Sequence, residues 1–174
     1  MQIFDAINLI KNAIPTSNQP LIWADLGCGS GVFTLALSHL LPKGSTIYAI
    51  DKTFQQLPPK TENGVHIQFI RADIEKSELA VPLLDGILMA NALHYVKNQS
   101  QTIVKLEKLF TGKKQFILIE YDSSLSNRWV PYPIPFADLK KLFPSDTYEC
   151  TKIGERSSIY GQGNLYCALL TTKS

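Results

Sequence analysis

The sequence predicts a single α/β domain over residues 1–174, built on a doubly wound, mostly parallel sheet with an antiparallel C-terminal hairpin at one edge. Three observations support this fold class. Five short apolar runs typical of buried strands alternate with stretches of helical or turn character. Two further strand-like runs close the chain with only a Gly-rich turn between them. The 174 residues are 45% hydrophobic, which suffices for one well-buried core.

The first half of the chain alternates helical and strand patterns. Ile3, Ile7, Ile10 and Ile14 recur at helical spacing, and Pro15 ends that pattern. The predicted elements are a helix over 3–14, a strand at 21–26, a helix over 31–41, a strand at 45–51, a short turn or helix at 53–57, and a strand at 65–73 followed by a brief helical stretch.

The second half continues the alternation and then ends in strands. Strands separated by helices pair in parallel and are covered on both faces, whereas two strands joined by a short turn form a hairpin. The predicted elements are a strand at 83–91, a helix over 99–110, a strand at 114–122, a helix at 136–143, and strands near 147–155 and 164–172 joined by "YGQGN" at 160–164.

Composition and charge exclude several classes of function. Seventeen basic and fifteen acidic residues give a net charge of +2, too small for a typical nucleic-acid binder, so no DNA partner is expected. The cysteines at 28, 150 and 167 contain no CxxC pair, which predicts free thiols in a cytoplasmic protein and no metal site. The N-terminus is typical of an amphipathic helix, not of a signal peptide, and no run is long enough to cross a membrane.

Three glycines alternate in "DLGCGSG", directly after the first predicted strand. In doubly wound sheets, ligands lie beyond the carboxyl ends of the strands, where the strand order reverses. Glycines there let the backbone turn tightly and let a ligand approach main-chain N–H groups without interference from a Cβ atom. The motif therefore predicts a ligand site over Gly27, Gly29 and Gly31; a tight turn without a ligand is the alternative.

The spacing of the glycines favours one cofactor over another. A dinucleotide fingerprint, G-x-G-x-x-G, would have its third glycine at position 32, which is Val32. The observed D-x-G-x-G-x-G pattern instead resembles the cofactor loop of class I S-adenosylmethionine-dependent methyltransferases. This resemblance covers residues from about 20 to 121 and implies a seven-stranded sheet with its last strand antiparallel.

The resemblance also implies roles for individual residues. Asp25 would partner a cationic group, Asp51 in "IYAID" would accept the ribose hydroxyls, and Asp73 in "FIRAD" would receive the adenine amino group, with Ile74 lining the adenine pocket. For Asp51 and Asp73, helix capping or turn chemistry is the alternative. The full cofactor set implied is Asp25, Gly27, Cys28, Gly29, Gly31, Asp51, Lys52, Asp73, Ile74 and Asn91.

Residues that could take part in the chemistry follow the fourth and fifth strands: Asn91, His94, Tyr95, Glu120, Tyr121 and Asp122. The predicted catalytic residues are the first three, in "ANALHY". Methyl transfer is an in-line displacement in which alignment supplies much of the acceleration, so a base is optional. His94 is the best base candidate because a histidine titrates near neutral pH; packing or capping of a turn is the alternative. The segment lacks an "NPPY" motif and is similar to variants in methyltransferases of small metabolites, which implies a small-molecule acceptor.

The proline-rich stretch "SSLSNRWVPYPIPF" at 123–136 follows the fifth strand. Its alternating prolines favour an extended path, and it could close as a lid over the acceptor. Asp122, Arg128, Trp129 and Tyr132 are the predicted substrate-binding residues, with Arg128 pairing an acidic group. A surface connection without a binding role is the alternative.

Three other functions stay open. Only about twenty residues precede the first strand, so an open site acting on RNA or protein is one alternative. A non-catalytic cofactor-binding subunit is the second, and a nicotinamide oxidoreductase, disfavoured by Val32, is the third. A homodimer is also left open.

Overall fold

The computed structural model of the protein describes residues 1–157 and 164–173, which form seven strands and four α-helices. The strands are β1 (Ile22–Leu26), β2 (Thr46–Asp51), β3 (His66–Arg71), β4 (Gly86–Ala90), β5 (Gln115–Tyr121), β6 (Tyr148–Ser157) and β7 (Asn164–Thr172). The helices are α1 (Ile3–Ile10), α2 (Val32–Leu40), α3 (Gln99–Glu107) and α4 (Leu139–Leu142), with 3₁₀ turns at Lys11–Ala13, Leu93–Tyr95 and Phe136–Asp138.

The strand order β3-β2-β1-β4-β5-β7-β6 confirms the predicted doubly wound sheet. Strand β1 pairs in parallel with both β2 and β4, so the chain order reverses between β1 and β4. Strand β7 runs antiparallel to its neighbours β5 and β6, which confirms the C-terminal edge hairpin. The carboxyl ends of β1 and β4 lie side by side, at the place where a doubly wound sheet leaves a crevice.

Two apolar layers cover the sheet. Successive strand residues point to opposite faces, so in β4 Met89 packs with one layer and Leu88 with the other. The layer around Leu88 includes α1 and α2, and the layer around Met89 includes α3 and α4. Two aromatic side chains illustrate the division: Trp23 is buried beside α1 and α2, and Phe116 beside α3 and α4.

Two connections differ from the prediction. Residues 53–57, predicted as a short turn or helix, form no helix, because Pro58 and Pro59 directly after them lack the N–H that a helix needs. The helical stretch predicted after β3 is one hydrogen-bonded turn, in which the Ser77 N–H donates to the Asp73 carbonyl over 2.8 Å. Helix α3 ends at Glu107, not at 110. The predicted turn at 160–164 lies outside the described residues except for Asn164.

The described ranges contain no helix long and apolar enough to cross a membrane. Within those ranges, no group of three or more His, Cys, Asp or Glu side chains is arranged to hold a metal ion. Cys28, Cys150 and Cys167 are all free thiols.

Gly86 lies opposite Trp23 in the pairing of β1 with β4, and a Cβ atom on it would overlap the buried indole ring. We expect Gly86→Ala to lower the free energy of unfolding by about 1–3 kcal/mol, because extra atoms in a packed core force side chains or backbone to move. Gly112→Ala is the matched control, since a Cβ there meets nothing within 4 Å. Urea unfolding measures both; equal midpoints would contradict the overlap.

Candidate active site

A cleft of about 600 Å³ opens at the carboxyl ends of β1, β2, β3 and β4. Its position agrees with the crevice expected where the strand order reverses. Eight of the residues singled out in the sequence contribute to it, together with five that were not. The cleft is lined by Gly27, Gly29, Asp51, Lys52, Ala72, Asp73, Ile74, Glu75, Lys76, Asn91, Ala92, Tyr95 and Val96.

The glycine turn after β1 meets protein atoms on two sides and open space on the third. All three glycines have positive φ: +74° at Gly27, +49° at Gly29 and +82° at Gly31. A Cβ on Gly27 would overlap the Ala92 side chain, and one on Gly31 would overlap Leu57. A Cβ on Gly29 would meet nothing within 4 Å. Packing therefore requires the outer two glycines, while Gly29 presents bare backbone to the cleft.

The carboxylate of Asp51, at the end of β2, braces this turn. One oxygen accepts a hydrogen bond from the Gly29 N–H over 2.9 Å, and the other accepts one from the Thr53 N–H over 2.8 Å. Each carboxylate oxygen offers two lone pairs, so two acceptor positions are left after these bonds. Asp51 lines the cleft and can therefore also accept hydrogen bonds from a ligand.

Asp73 takes part in turn hydrogen bonding and also lines the cleft. Its Oδ1 accepts hydrogen bonds from the main-chain N–H groups of Glu75, at 3.0 Å, and Lys76, at 3.3 Å. The Lys76 ammonium lies 3.9 Å from the other oxygen in a mostly exposed ion pair. The turn chemistry is therefore present, and Asp73 and Ile74 also face the cleft.

Asp25 lies behind the cleft wall and does not line it. Its side chain is buried; Oδ2 accepts a 2.5 Å hydrogen bond from the Thr34 hydroxyl, and Oδ1 has no partner among the described residues. Burial, and to a smaller extent the negative charge of Asp51, raise the pKa of the Asp25 carboxyl to about 7, against the lowering effect of the Thr34 hydrogen bond. A buried carboxyl with one free oxygen is suited to a cationic partner.

Asn91 terminates β4 in an unusual backbone conformation. Its φ of +52° makes it the one non-glycine residue with positive φ in residues 1–157 and 164–173. The Asn91 N–H donates to the Ile119 carbonyl over 2.8 Å, while the side-chain Oδ1 is buried without a partner in that same part of the chain. Strained backbone and unsatisfied polar atoms concentrate at functional sites, and Asn91 lines the cleft.

His94 lies in the interior, and its neighbour Tyr95 lines the cleft. The His94 side chain is 2% exposed, and its Nδ1 lies 2.5 Å from Oε2 of the equally buried Glu120. The other oxygen of Glu120 accepts the N–H groups of Leu93 and His94. His94 thus packs against and fixes a turn, which is the alternative interpretation. A base in the cleft would have to be reached by the acceptor, and the buried His94 ring is not exposed there. Tyr95 is 49% exposed, with the Lys52 ammonium 5.8 Å from its ring centre.

The proline-rich segment is anchored and stays outside the cleft lining. The Tyr132 N–H donates to the His94 carbonyl over 3.0 Å, and Val130 and Ile134 are buried. Residues 130–136 therefore do not have the loose packing expected of a lid. The cleft lining also leaves out several residues predicted to bind cofactor or substrate or to act in catalysis: Asp25, Cys28, Gly31, His94, Asp122, Arg128, Trp129 and Tyr132.

Several of the predicted residues that do not line the cleft have other partners or face solvent. Asp122 accepts the Phe136 N–H at 2.9 Å and pairs with the Lys152 ammonium at 3.2 Å. Arg128 stacks on Trp129 with 5.6 Å between guanidinium and ring centre, and Trp129 is 67% exposed. Cys28 is buried and Gly31 contacts Leu57, so both support the turn from behind.

Comparison with known families identifies the fold. A family model described as a methyltransferase domain matches residues 19–162, a span that contains every residue of the cleft. The chain belongs to this methyltransferase domain family. The predicted enzyme class is thereby confirmed, and a search of curated proteins found no match.

Solved structures with the same methyltransferase fold resemble the whole chain. A SAM-dependent methyltransferase from Aquifex aeolicus has a TM-score of 0.64 and 14% identity, over 97% of this chain and 88% of that chain. The Burkholderia thailandensis 1,6-didemethyltoxoflavin-N1-methyltransferase, with bound S-adenosylhomocysteine, has a TM-score of 0.67 and 15% identity, over 99% of this chain and 78% of that chain. The plantazolicin methyltransferase BpumL, also in complex with S-adenosylhomocysteine, has a TM-score of 0.63 and 13% identity, over 98% of this chain and 83% of that chain. The predicted cofactor agrees with the product bound in two of these structures.

Sequence reasoning missed two residues, Thr34 and Lys105, that shape the methyltransferase cleft from behind. Thr34 has a weak signal, a hydroxyl in the first turn of the helix that follows the glycines. Glu120, in contrast, is among the residues that the sequence offered after the fourth and fifth strands, and it interrupts the apolar run of β5. Lys105, which contacts the loop after β3, has no local signal, since its partners lie 28 to 31 residues away. The cleft residues missed are Ala72, Glu75, Lys76, Ala92 and Val96.

The raised pKa of Asp25 predicts a pH-dependent stability. Between its ordinary value of 3.8 and about 7, the unfolded chain releases the proton that the folded protein keeps, so the free energy of unfolding falls as pH rises. Relative to Asp25→Asn, which does not ionise, the wild type should lose roughly 3 kcal/mol between pH 5 and pH 8. Urea unfolding of both proteins at the two pH values measures this. Parallel pH profiles would contradict a neutral Asp25 in the folded protein.

Proposed function

We propose that the protein transfers the methyl group of S-adenosylmethionine to a small-molecule acceptor, and that the cleft holds the cofactor. The observation that carries the proposal is the open space over Gly29 beside the carboxylate of Asp51. A ligand there can approach a main-chain turn without meeting a side chain while its hydroxyl groups reach a carboxylate. A turn built only to join β1 to α2 would not need that space.

The residues of the cleft suit each part of this cofactor. Asp51 has two acceptor positions left for ribose hydroxyls, and Asp73 and Ile74 line the wall proposed for adenine. The ammonium of the methionine part needs acceptors, and Asn91, which lines the cleft, has a buried oxygen without a partner among the described residues. Pairing would satisfy an oxygen that otherwise costs about 1–3 kcal/mol. Asp25, whose carboxyl lies behind the cleft wall, stays a predicted partner of the same cationic group. We propose that Lys52 and the backbone of the glycine turn complete the pocket.

The acceptor would enter beside Asn91 and Tyr95. Methyl transfer needs the acceptor atom, the methyl group and the sulfur in line, and no proton relay is required for that alignment. Tyr95 is half-exposed and lines the cleft, so its ring can orient a planar or apolar acceptor. His94 would act through Tyr95: its contact with Glu120 fixes the turn that carries the Tyr95 ring. Arg128, Trp129 and Tyr132 remain candidates for outer contacts with the acceptor.

A small-molecule acceptor is favoured by the structural relatives and by the charge of the protein. Two of the structural relatives are named for small compounds, 1,6-didemethyltoxoflavin and plantazolicin. The net charge of +2 gives RNA no strong electrostatic attraction. We further propose a cytoplasmic location, where three free cysteines would stay reduced, and a homodimer stays a prediction.

Isothermal titration calorimetry tests the cofactor assignment. The wild type should bind S-adenosylhomocysteine more tightly than NAD. Gly29→Val should lower this affinity by at least about 30-fold, the equivalent of about 2 kcal/mol of steric overlap with the ligand. Gly29→Ala, with the same backbone strain and a smaller side chain, should have an intermediate effect.

Gly44→Val is the control. Gly44 also has positive φ, at +86°, but it precedes β2 and so lies at the amino ends of the strands, away from the cleft at their carboxyl ends. It should lose stability and keep its affinity. Tighter binding of NAD would overturn the cofactor assignment. Normal affinity in a folded Gly29→Val protein would place the ligand elsewhere.

The size of the acceptor can be measured with radiolabelled S-adenosylmethionine and a cell extract separated into small molecules, RNA and protein. Label should enter the small-molecule fraction, and Tyr95→Ala should reduce that transfer by about 10-fold or more, the loss expected when a ring that orients the acceptor is removed. Val104→Ala, at an exposed apolar residue on α3, is the control. Label found only in RNA or protein would reassign the acceptor, and cofactor binding without any transfer would favour a non-catalytic subunit.

A further inference from the structure

Lys105, on α3, directs its ammonium group at the loop that follows β3. Its Nζ donates hydrogen bonds to the carbonyl oxygens of Ile74, Glu75 and Ser77, at 2.8, 2.9 and 3.0 Å. An ammonium has three donors, so all of them are used. Within the part of the chain that the structure describes, no carboxylate lies within ion-pair distance of this partly buried group.

The loop that Lys105 contacts forms one wall of the cleft and has little structure of its own. Residues 72–76 all line the cleft, yet no helix follows β3. Within the described residues, the carbonyls of Ile74, Glu75 and Ser77 accept no main-chain N–H. Three carbonyl groups that converge without a donor would repel one another, and the Lys105 ammonium gathers them into one conformation.

We propose that Lys105 is a positioning residue for the cofactor: it holds the loop of residues 73–77 so that Asp73 and Ile74 face the adenine end of the cleft. Lys105 itself does not line the cleft, so its effect reaches the ligand through the loop. The inference rests on the proposed function, because it assigns the adenine group to this wall.

A second tether separates the role of Lys105 from general folding of the loop. The Asn98 N–H donates to the Glu75 carboxylate over 2.8 Å and keeps the loop beside the start of α3. Loss of the Lys105 ammonium therefore leaves the loop attached to α3 through the Asn98–Glu75 hydrogen bond, while the three carbonyl groups that Lys105 bonded lose their donor. Arginine is a poor replacement, because its planar guanidinium spreads its donors in a fork and cannot converge them at one point.

Lys105→Met tests the proposal, since it keeps much of the apolar stem and removes the donors. Its affinity for S-adenosylhomocysteine should fall by about 10-fold. The wild type should prefer S-adenosylhomocysteine over S-inosylhomocysteine, which lacks the amino group assigned to Asp73, and the variant should lose most of this preference. Lys108→Met is the matched control, because Lys108 is exposed just beyond the end of the same helix.

Hydrogen exchange in the ligand-free protein gives a readout independent of the cofactor. The Ser77 amide, which donates to the Asp73 carbonyl, should exchange faster in Lys105→Met and at the wild-type rate in Lys108→Met. If the wild type does not bind S-adenosylhomocysteine, the proposed function fails, while faster exchange would still show that Lys105 orders the loop. Unchanged exchange and unchanged ligand preference would overturn the inference. If Lys105→Met does not fold, Lys105→Gln is measured in the same way, and unfolding of both would overturn a role confined to the loop.

Discussion

The hydrogen bonds that join the glycine turn to the end of β2 are the contact on which the cleft depends. The N–H groups of Gly27 and Cys28 both donate to the Ile50 carbonyl, at 2.7 and 3.0 Å, and the next N–H donates to Asp51. Three successive amides of one turn are thus fixed to one strand end. This draws the backbone so close to its neighbours that Gly27 touches Ala92, and only glycine fits. The same approach leaves the backbone at the middle glycine facing the cleft.

Patterns that are local in the sequence predicted the fold and half of the site. Strand periodicity and the glycine spacing can be recognised from a few consecutive residues. The carboxyl ends of parallel strands lie on the same side of a sheet whatever connections join the strands. Asp51 and Asn91 could therefore be assigned to the cleft. The environment of His94 could not, because its partner Glu120 is 26 residues away and turns an exposed base candidate into a buried pair. The sequence predicts a brief helical stretch after β3, but the structure has a single turn there, whose stabilising partner Lys105 lies on a distant element.

Three polar groups near the carboxyl ends of β1, β4 and β5 differ in how completely their hydrogen bonds are satisfied. Glu120 is satisfied by two main-chain N–H groups and His94, so it stabilises the folded protein. Asp25 and Asn91 each retain an oxygen with no partner among the described residues. Such oxygens cost about 1–3 kcal/mol each, which a sequence selected for stability alone would remove. Asn91 lines the cleft and Asp25 lies behind its wall, so only the Asn91 oxygen of these two is placed next to the open space.

The proline-rich segment is bonded to the turn that carries Tyr95, and this constrains how both can move. Tyr132 donates its N–H to the His94 carbonyl, and the Gln99 side chain donates to the carbonyls of both Leu93 and Tyr132. Lifting this part of the segment would break those bonds and expose Val130, and it would release the turn that carries Tyr95. Most of residues 123–129, in contrast, are exposed. The anchored part is held by packing and by these hydrogen bonds, so a large closing movement of residues 130–136 would have to break both.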